Sequence, residues 1–436
     1  MNVTSSGAPR DDAARHVGRV ALALVAGMVV GIAAASAREP MFARAVGLLE
    51  PIGLIWVNAI RMTVVPLVVA LLLQAVSRDS EASVGRVGGL AFITFVALHV
   101  VAAVLALLIV APILAGLTIE PATAARLQAD ATAAASVTSE RVQSLPGLGQ
   151  WVASLAPANV VRAAADGAML PLIVFTVLFG LALRRIVPER RDAVMRVIDG
   201  IGAAMLEIVR WLIRLAPVGV FTLIAPLAAR LGLSLAGALG YYVVAYIAGM
   251  LILAIVLSIV GALGGGVSPL RFIRAVLPAQ AVAFSSSSSL ASLPALIDSA
   301  RRLGIAPPVG GLVLPLAVSS FKVASAVSWL TGTMFLARLY GVELALVDQL
   351  TIVASAIALS FATPGVPNGA FLLLAPLLVS VGLPASGVAL LIAIDSIPDL
   401  FATTTNVTGD FAAAAIVDRV APADHVTVAA PEIAAG

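Results

Sequence analysis

Asp395, Asp399, Asn406 and Asp410 follow one another at offsets of four, seven and four residues in a segment that is otherwise apolar, with Leu390, Leu391, Ile392 and Ile397 among them. At roughly 100° per residue on a helix, the four side chains fall within about 60° of one another. They form one polar stripe, and Ala402 and Thr403 lie close to it. A carboxylate at the centre of a bilayer costs about 2.5–3.5 kcal/mol on insertion scales and more by simulation, so three on one face should point into protein and mark a path for a solute or an ion. A partly solvated amphipathic helix after the last span is the competing reading. The flanking leucines and isoleucines are too apolar for a solvated face.

A second group stands apart by its rarity. Lys322 is the only lysine among 26 basic residues, and it sits in the middle of an apolar run. A compact ammonium can lose its proton when buried, which arginine cannot do. We read it as a tethered positive charge near Asp410, able to release a proton during a working cycle. The alternative is a lysine that snorkels to the interface or pairs as structural glue. His99 is a candidate third member of this cluster, although an isolated histidine in a span is also a common packing residue. His16 and His425 lie near the termini, so no Ser/His pair or metal-ligand cluster is evident. An aspartyl protease acting within the membrane needs two acids facing each other, whereas these acids share one helix.

The elements that must position these residues are membrane helices. The chain is 61% apolar and 11% charged over 436 residues, against roughly 45–50% and about 25% for a soluble domain. Its net charge of +3 is spread over loops and helix ends without interleaved aromatics, which argues against nucleic acid as a partner. Cysteine is absent, which excludes disulfides and thiolate metal sites. The first apolar run, about 20–36, follows Arg10, Arg15 and Arg19 and ends in Ala34-Ala35-Ser36-Ala37, which could imitate a cleavable signal peptide. A charged cytoplasmic start before further spans describes a first transmembrane helix as well, and that reading is preferred.

Beyond residue 265 the apolar segments are interrupted at what would be mid-membrane depth. One interruption is the serine run Phe284 to Ser289, closing in Leu293-Pro294; the other is Thr363-Pro364-Gly365-Val366-Pro367-Asn368-Gly369. Each precedes a long helix-like segment, at about 306–337 and 386–416. Taken singly, the first could be a cytoplasmic loop and the second an external turn. Taken as a pair, they are two broken hairpins in a repeated unit, and irregular backbone inside a membrane is tolerated only where protein or a watery cavity receives its hydrogen bonds. Corresponding breaks of this kind point to a solute site. The organisation expected is a cytoplasmic N-terminus at 1–17, transmembrane helices 1–3 at 18–117, an external loop at 118–150, helices 4–5 at 151–232 and helix 6 at 233–264. Re-entrant hairpin 1 follows at 265–303, helix 7 at 304–340, hairpin 2 at 346–384, helix 8 at 385–418 and a cytoplasmic tail at 419–436. Arginine-rich loops around Arg78 and Arg86, and from Arg184 to Arg196, set both termini in the cytoplasm.

These segments resemble the dicarboxylate/amino acid:cation symporter family, the bacterial relatives of glutamate transporters, from about residue 50 to 420. The likeness rests on Arg61-Met62 with Pro66-Leu67, Ala216 to Phe221, the serine hairpin, Val313-Leu314-Pro315-Leu316, Gly365-Val366-Pro367 and Asn406-Val407-Thr408-Gly409-Asp410, in that order and spacing. It implies an all-α polytopic fold of eight transmembrane helices plus two re-entrant hairpins. It further implies a homotrimer in the bacterial inner membrane that works as an elevator, with no cofactor and no enzymatic activity. Asp399 then resembles the ligand of a solute amino group with Thr403 beside it, and Asn406 that of its carboxylate. Ser288 and Ser289, and the second tip with Thr363, Gly365, Val366, Pro367 and Gly369, would close over the solute.

Two departures matter. Members that take acidic solutes keep an arginine where this chain has Ala402 or Ser287, so a second solute carboxylate would be buried without a partner, at a penalty of several kcal/mol. The sequence therefore points to a neutral amino acid. The family's Asn-Met-Asp-Gly-Thr stretch also aligns on Phe321-Lys322-Val323-Ala324-Ser325, and Phe95, Leu98 and His99 replace hydroxyls near the same ion. The sodium sites are then partly lost, with a residual site at Asp410 and Asn406, and Lys322, Asp410, Asn406, Asp395 and His99 become the ion or coupling group, using protons or sodium. Other readings left open are a sodium-coupled symporter of dicarboxylates or acidic amino acids, and a passive channel on the same fold.

Overall fold

The computed structural model describes residues 8–36, 40–78, 81–129, 131–132, 149, 153–231, 238–361, 369–395 and 397–421. Every regular element among them is helical. Four stretches are long and apolar enough to cross a membrane: Arg44–Gln74, Gly85–Ala115, Ala238–Gly264 and Pro307–Tyr340. A fifth arises if Pro188–Leu212 and Ala216–Pro226, bent by 58°, form one span.

The first half of the chain packs against the core and enters it through Leu67, Phe95 and Leu98. Helix α1 (Ala8–Ser36) starts inside the stretch expected as an N-terminal tail, followed by α2 (Pro40–Gly47), α3 (Glu50–Arg78) and α4 (Glu81–Leu105). A π-helical turn, Ala106–Val110, joins α4 to α5 (Ala111–Ala115). Pro112 lies just past this turn and cannot donate to the ladder, and such turns inside α-helices recur near functional sites. Residues 121–129, expected as an external loop, are helical, and Gln128 there donates to the Leu339 carbonyl at 2.8 Å. Next come α6 (Val160–Ala165), α7 (Met169–Leu183), α8 (Pro188–Arg214) and α9 (Ala216–Leu231). Asn159 caps α6 by accepting from the Arg162 amide, and Arg162 pairs with Asp166 in the open.

The bend between α8 and α9 has a local cause. Pro217 cannot continue the i→i−4 ladder, and the Trp56 indole donates to the Leu212 carbonyl at 2.9 Å just before it. A Cβ on Gly219 would come within 2.2 Å of the Trp56 ring, so only glycine lets α9 lie this close to α3. Large apolar side chains such as Ile93, Leu108, Leu178, Val244 and Leu263 remain exposed on these helices and on α10 (Ala238–Gly264). Exposed apolar side chains in this number suit a surface that meets lipid or another protein.

The second half forms the core. Helices α11 (Pro269–Ser286) and α12 (Ser289–Leu303) pack on each other as a hairpin. The helices α13 (Pro307–Ser320), α14 (Ser325–Tyr340), α15 (Leu346–Ser360), α16 (Gly369–Ser380), α17 (Gly387–Ile394) and α18 (Pro398–Val420) complete it. The two segments expected as continuous helices at 306–337 and 386–416 are each broken, at 321–324 and at 395–397. Pro398 begins α18 and explains the second break. The first has no proline or glycine within it; its cause lies on another helix, described below. Helix α18 is packed by α4, α10, α11, α12 and α13, which places it far from lipid.

Candidate functional site

The polar stripe of α18 points into protein. Asp410 is 0% exposed, Asp395 is 6% exposed, and Thr403 and Asn406 are also buried. Asp399, Asn406 and Asp410 share α18. Asp395 ends α17 at the break, and the Asp399 amide donates to its carbonyl at 2.8 Å, one turn away.

Asp399 stands in the first turn of α18, where the unpaired amides and positive dipole end of a helix favour an anion. Its Oδ1 accepts from the Thr403 hydroxyl at 3.4 Å, and the Ser287 side chain reaches the same carboxylate. Ser287 is the tip of the first hairpin, with φ 47 and ψ 37 in the left-handed region, a conformation that costs a non-glycine residue roughly 1 kcal/mol or more. That conformation turns the chain between α11 and α12 within two residues. Ser288 caps α12, accepting from the Ala291 amide at 3.2 Å, and Ser289 is buried as the first helical residue. The hairpin is held along α18 by Gln280, which donates to the Thr408 hydroxyl at 2.8 Å, and by the Phe284 and Phe401 rings, edge to face at 5.2 Å. Sequence reasoning treated Ser287 only as the place of a missing arginine and passed over Gln280.

Asn406 explains the break in the seventh segment. Its side-chain oxygen accepts from the Ala324 amide at 2.9 Å, replacing a ladder bond that a straight helix would have made. With that oxygen engaged, the amide N–H groups of Asn406 are what remain to meet a solute carboxylate. Gly409 lets α18 approach this break. A Cβ there would meet Val323 Cγ1 at 2.7 Å and Phe321 Cε1 at 3.3 Å, and both residues are fully buried. Gly409→Ala is therefore expected to lower stability by about 1–3 kcal/mol through overpacking. In an open helix the same change gains nearly 1 kcal/mol. Thermal melting of the purified protein checks this, with Gly89→Ala, which meets nothing within 4 Å, as the control that does not lose stability.

Lys322 lies in the break, half-buried. Its Nζ donates to the Val318 carbonyl at 2.6 Å, at the negative end of α13 where a cation is favoured. It is within electrostatic reach of Asp410 and Asp399. Neither oxygen of Asp410 meets a hydrogen-bond donor, so Lys322 compensates that buried carboxylate by charge without touching it.

Around this pair the surroundings are aromatic. Phe95 and Phe321 stack at 4.6 Å, and the His99 ring meets Phe321 at 4.9 Å and Phe361 at 5.4 Å. His99 is 0% exposed; its Nδ1 is 3.0 Å from the Phe95 carbonyl and its Nε2 has no partner. A hard cation needs several oxygens, and here phenyl rings fill the space. No group of three or more His, Cys, Asp or Glu side chains among the described residues could hold a metal ion.

Ala402 is buried on α18 and carries no charge. In the second hairpin, Gly369 begins α16; Thr363, Gly365, Val366 and Pro367 lie outside the described residues.

Comparison with known proteins gives a consistent result. The sequence model of the Sodium:dicarboxylate symporter family matches residues 17–420. The chain is 30% identical over 375 residues to the proton/glutamate-aspartate symporter of Escherichia coli (strain K12), covering 86% of this chain and 85% of that one. It is 28% identical over 372 residues to the proton/sodium-glutamate symport protein of Bacillus subtilis (strain 168), covering 85% and 86%. It is 29% identical over 405 residues to the C4-dicarboxylate transport protein of Deinococcus radiodurans, covering 92% and 88%.

Proposed function

Because this chain belongs to the sodium:dicarboxylate symporter family, and is thus a multi-pass membrane transporter and not an enzyme, we propose that it carries a small neutral amino acid by symport or exchange. In this reading it has eight spans and two re-entrant hairpins, forms a homotrimer in the inner membrane with both termini in the cytoplasm, and needs no cofactor. The transmembrane layout expected above, from the tail at 1–17 to the tail at 419–436, belongs to the same proposal. The solute ammonium pairs with Asp399 beside Thr403. The solute carboxylate meets the Asn406 amide and the hairpin tips, Ser287 to Ser289 on one side and Thr363 to Gly369 on the other.

The observation that carries the proposal is the convergence of the first hairpin tip on Asp399 through Ser287, next to a position, Ala402, with no charge to offer a second carboxylate. Phenyl rings at Phe95 and Phe321 support the loss of part of the sodium set, and Lys322 supports its replacement by a charge built into the chain. A second reading, sodium-coupled transport of acidic amino acids or C4-dicarboxylates, is favoured in its solute by the names of the relatives, of which one names sodium beside protons.

Purified protein in liposomes, offered labelled L-serine, L-aspartate and succinate with and without sodium, separates the two readings. Serine uptake supports the first; uptake of aspartate or succinate alone removes it. Saturable counterflow separates a carrier from a channel. Ala402→Arg is expected to improve aspartate affinity relative to serine by roughly tenfold to a hundredfold, since a hydrogen bond to a charged group contributes about 1.5–3 kcal/mol and each 1.4 kcal/mol is about tenfold. An unchanged ratio of the two dissociation constants would place residue 402 away from the solute.

A further inference from the structure

Two buried carboxylates, Asp395 and Asp410, and the half-buried Asp399 lie in the second half of the chain, and one ammonium serves two of the three. Lys322 reaches Asp410 and Asp399; Asp395 interacts with Asp399 instead. On the proposed reading the solute ammonium neutralises Asp399 and Lys322 neutralises Asp410. Asp395 is left without a cation. It is 6% exposed, and its Oδ1 has no hydrogen-bond partner.

Facing Asp395 from α10 are two tyrosines that sense its charge, Tyr242 and Tyr246. Tyr242 is 0% exposed and its hydroxyl is also without a partner. The Tyr246 hydroxyl is engaged with the Ser328 hydroxyl of α14 at 2.6 Å. From α18, Asp399 donates its backbone amide to the Asp395 carbonyl at 2.8 Å, one turn away. These are the titratable groups around Asp395 among the described residues, and none of them is basic. The site thus holds a buried acid with one oxygen unpartnered and a buried phenol without a partner, at a break beside the solute-binding acid.

We propose that Asp395, within electrostatic reach of the unpartnered Tyr242 hydroxyl, is a proton-carrying site distinct from the Lys322–Asp410 pair. A hydronium ion on the loading side gives up one O–H bond as the Asp395 carboxylate forms one, leaving water; on the releasing side that carboxyl O–H bond breaks as a water molecule takes the proton to become hydronium. The donor set favours a proton over an alkali cation. One carboxyl and one free phenol are too few oxygens for sodium, because Tyr246 and Ser328 satisfy each other, and the Phe335 ring lies 4.8 Å from that of Tyr242. The inference rests on the chain being a cation-coupled carrier and names the group that holds the coupling ion.

Infrared difference spectra of the full-length protein in liposomes, taken between mildly acidic and mildly alkaline buffer, test it. A titrating carboxylic acid C=O stretch is expected in the wild type and in Asp410→Asn, is expected to be absent in Asp395→Asn, and should shift in frequency in Tyr242→Phe. The pH profile of labelled L-serine uptake should move in Tyr242→Phe. A band that survives Asp395→Asn, or that sodium removes at constant pH, would overturn the proposal. If Asp395→Asn does not fold, an unshifted band in Tyr242→Phe overturns it instead. Failure of L-serine to enter contradicts the neutral-solute reading alone, since the infrared bands decide on Asp395 without any solute.

Discussion

Asp399→Asn is expected to weaken solute binding by about thirtyfold to a few thousandfold while the protein still folds. Asparagine keeps the shape of the side chain and can still accept from the Thr403 hydroxyl, so α18 and the hairpin tip stay in place. What goes is the negative charge opposite the solute ammonium. Truncating one partner of a buried, hydrogen-bonded charge pair costs roughly 2–5 kcal/mol, and each 1.4 kcal/mol is about tenfold in affinity. Equilibrium binding of labelled L-serine measures the loss. Asp298→Asn provides the control, because Asp298 pairs with Arg302 at the exposed end of α12, where an ion pair contributes about 1 kcal/mol or less. Equal affinity in wild type and Asp399→Asn would remove the ammonium from this position.

Lys322→Met carries the second large effect. Asp410 is fully buried with both oxygens unpartnered, so removing the ammonium leaves a carboxylate with no compensating cation, at a cost of about 3–5 kcal/mol. The single variant is expected to melt at a markedly lower temperature and to lose transport. Lys322→Met combined with Asp410→Asn should recover most of the stability, since the double variant buries no charge. The interaction energy from such a cycle isolates the pair. Additive losses would mean that Lys322 serves the Val318 carbonyl alone.

The stripe on α18 could be read from sequence because three of its members obey the period of one helix. Asp395 lies one turn before them, on the far side of the break that Pro398 makes. The break at 321–324 was hidden for a different reason. Phe321, Lys322, Val323 and Ala324 contain none of the residues that punctuate a helix, and the partner that makes the break tolerable, Asn406, lies 82 residues away in sequence. The serine run advertised a hairpin, yet which serine takes the left-handed conformation depends on where α12 finds its cap. Ser288 accepts from Ala291, so the turn falls on Ser287. Tyr242 and Tyr246 carry no signal in the sequence, because their nearness to Asp395 arises only when α10 meets a helix much further along the chain.

The sodium requirement of L-serine accumulation in proteoliposomes tests most directly whether a built-in lysine and a lone amino-group ligand have replaced the family's full ion set. Accumulation at an undiminished rate in sodium-free medium is the result this account predicts. Uptake that needs sodium, and that admits aspartate in place of serine, would contradict it.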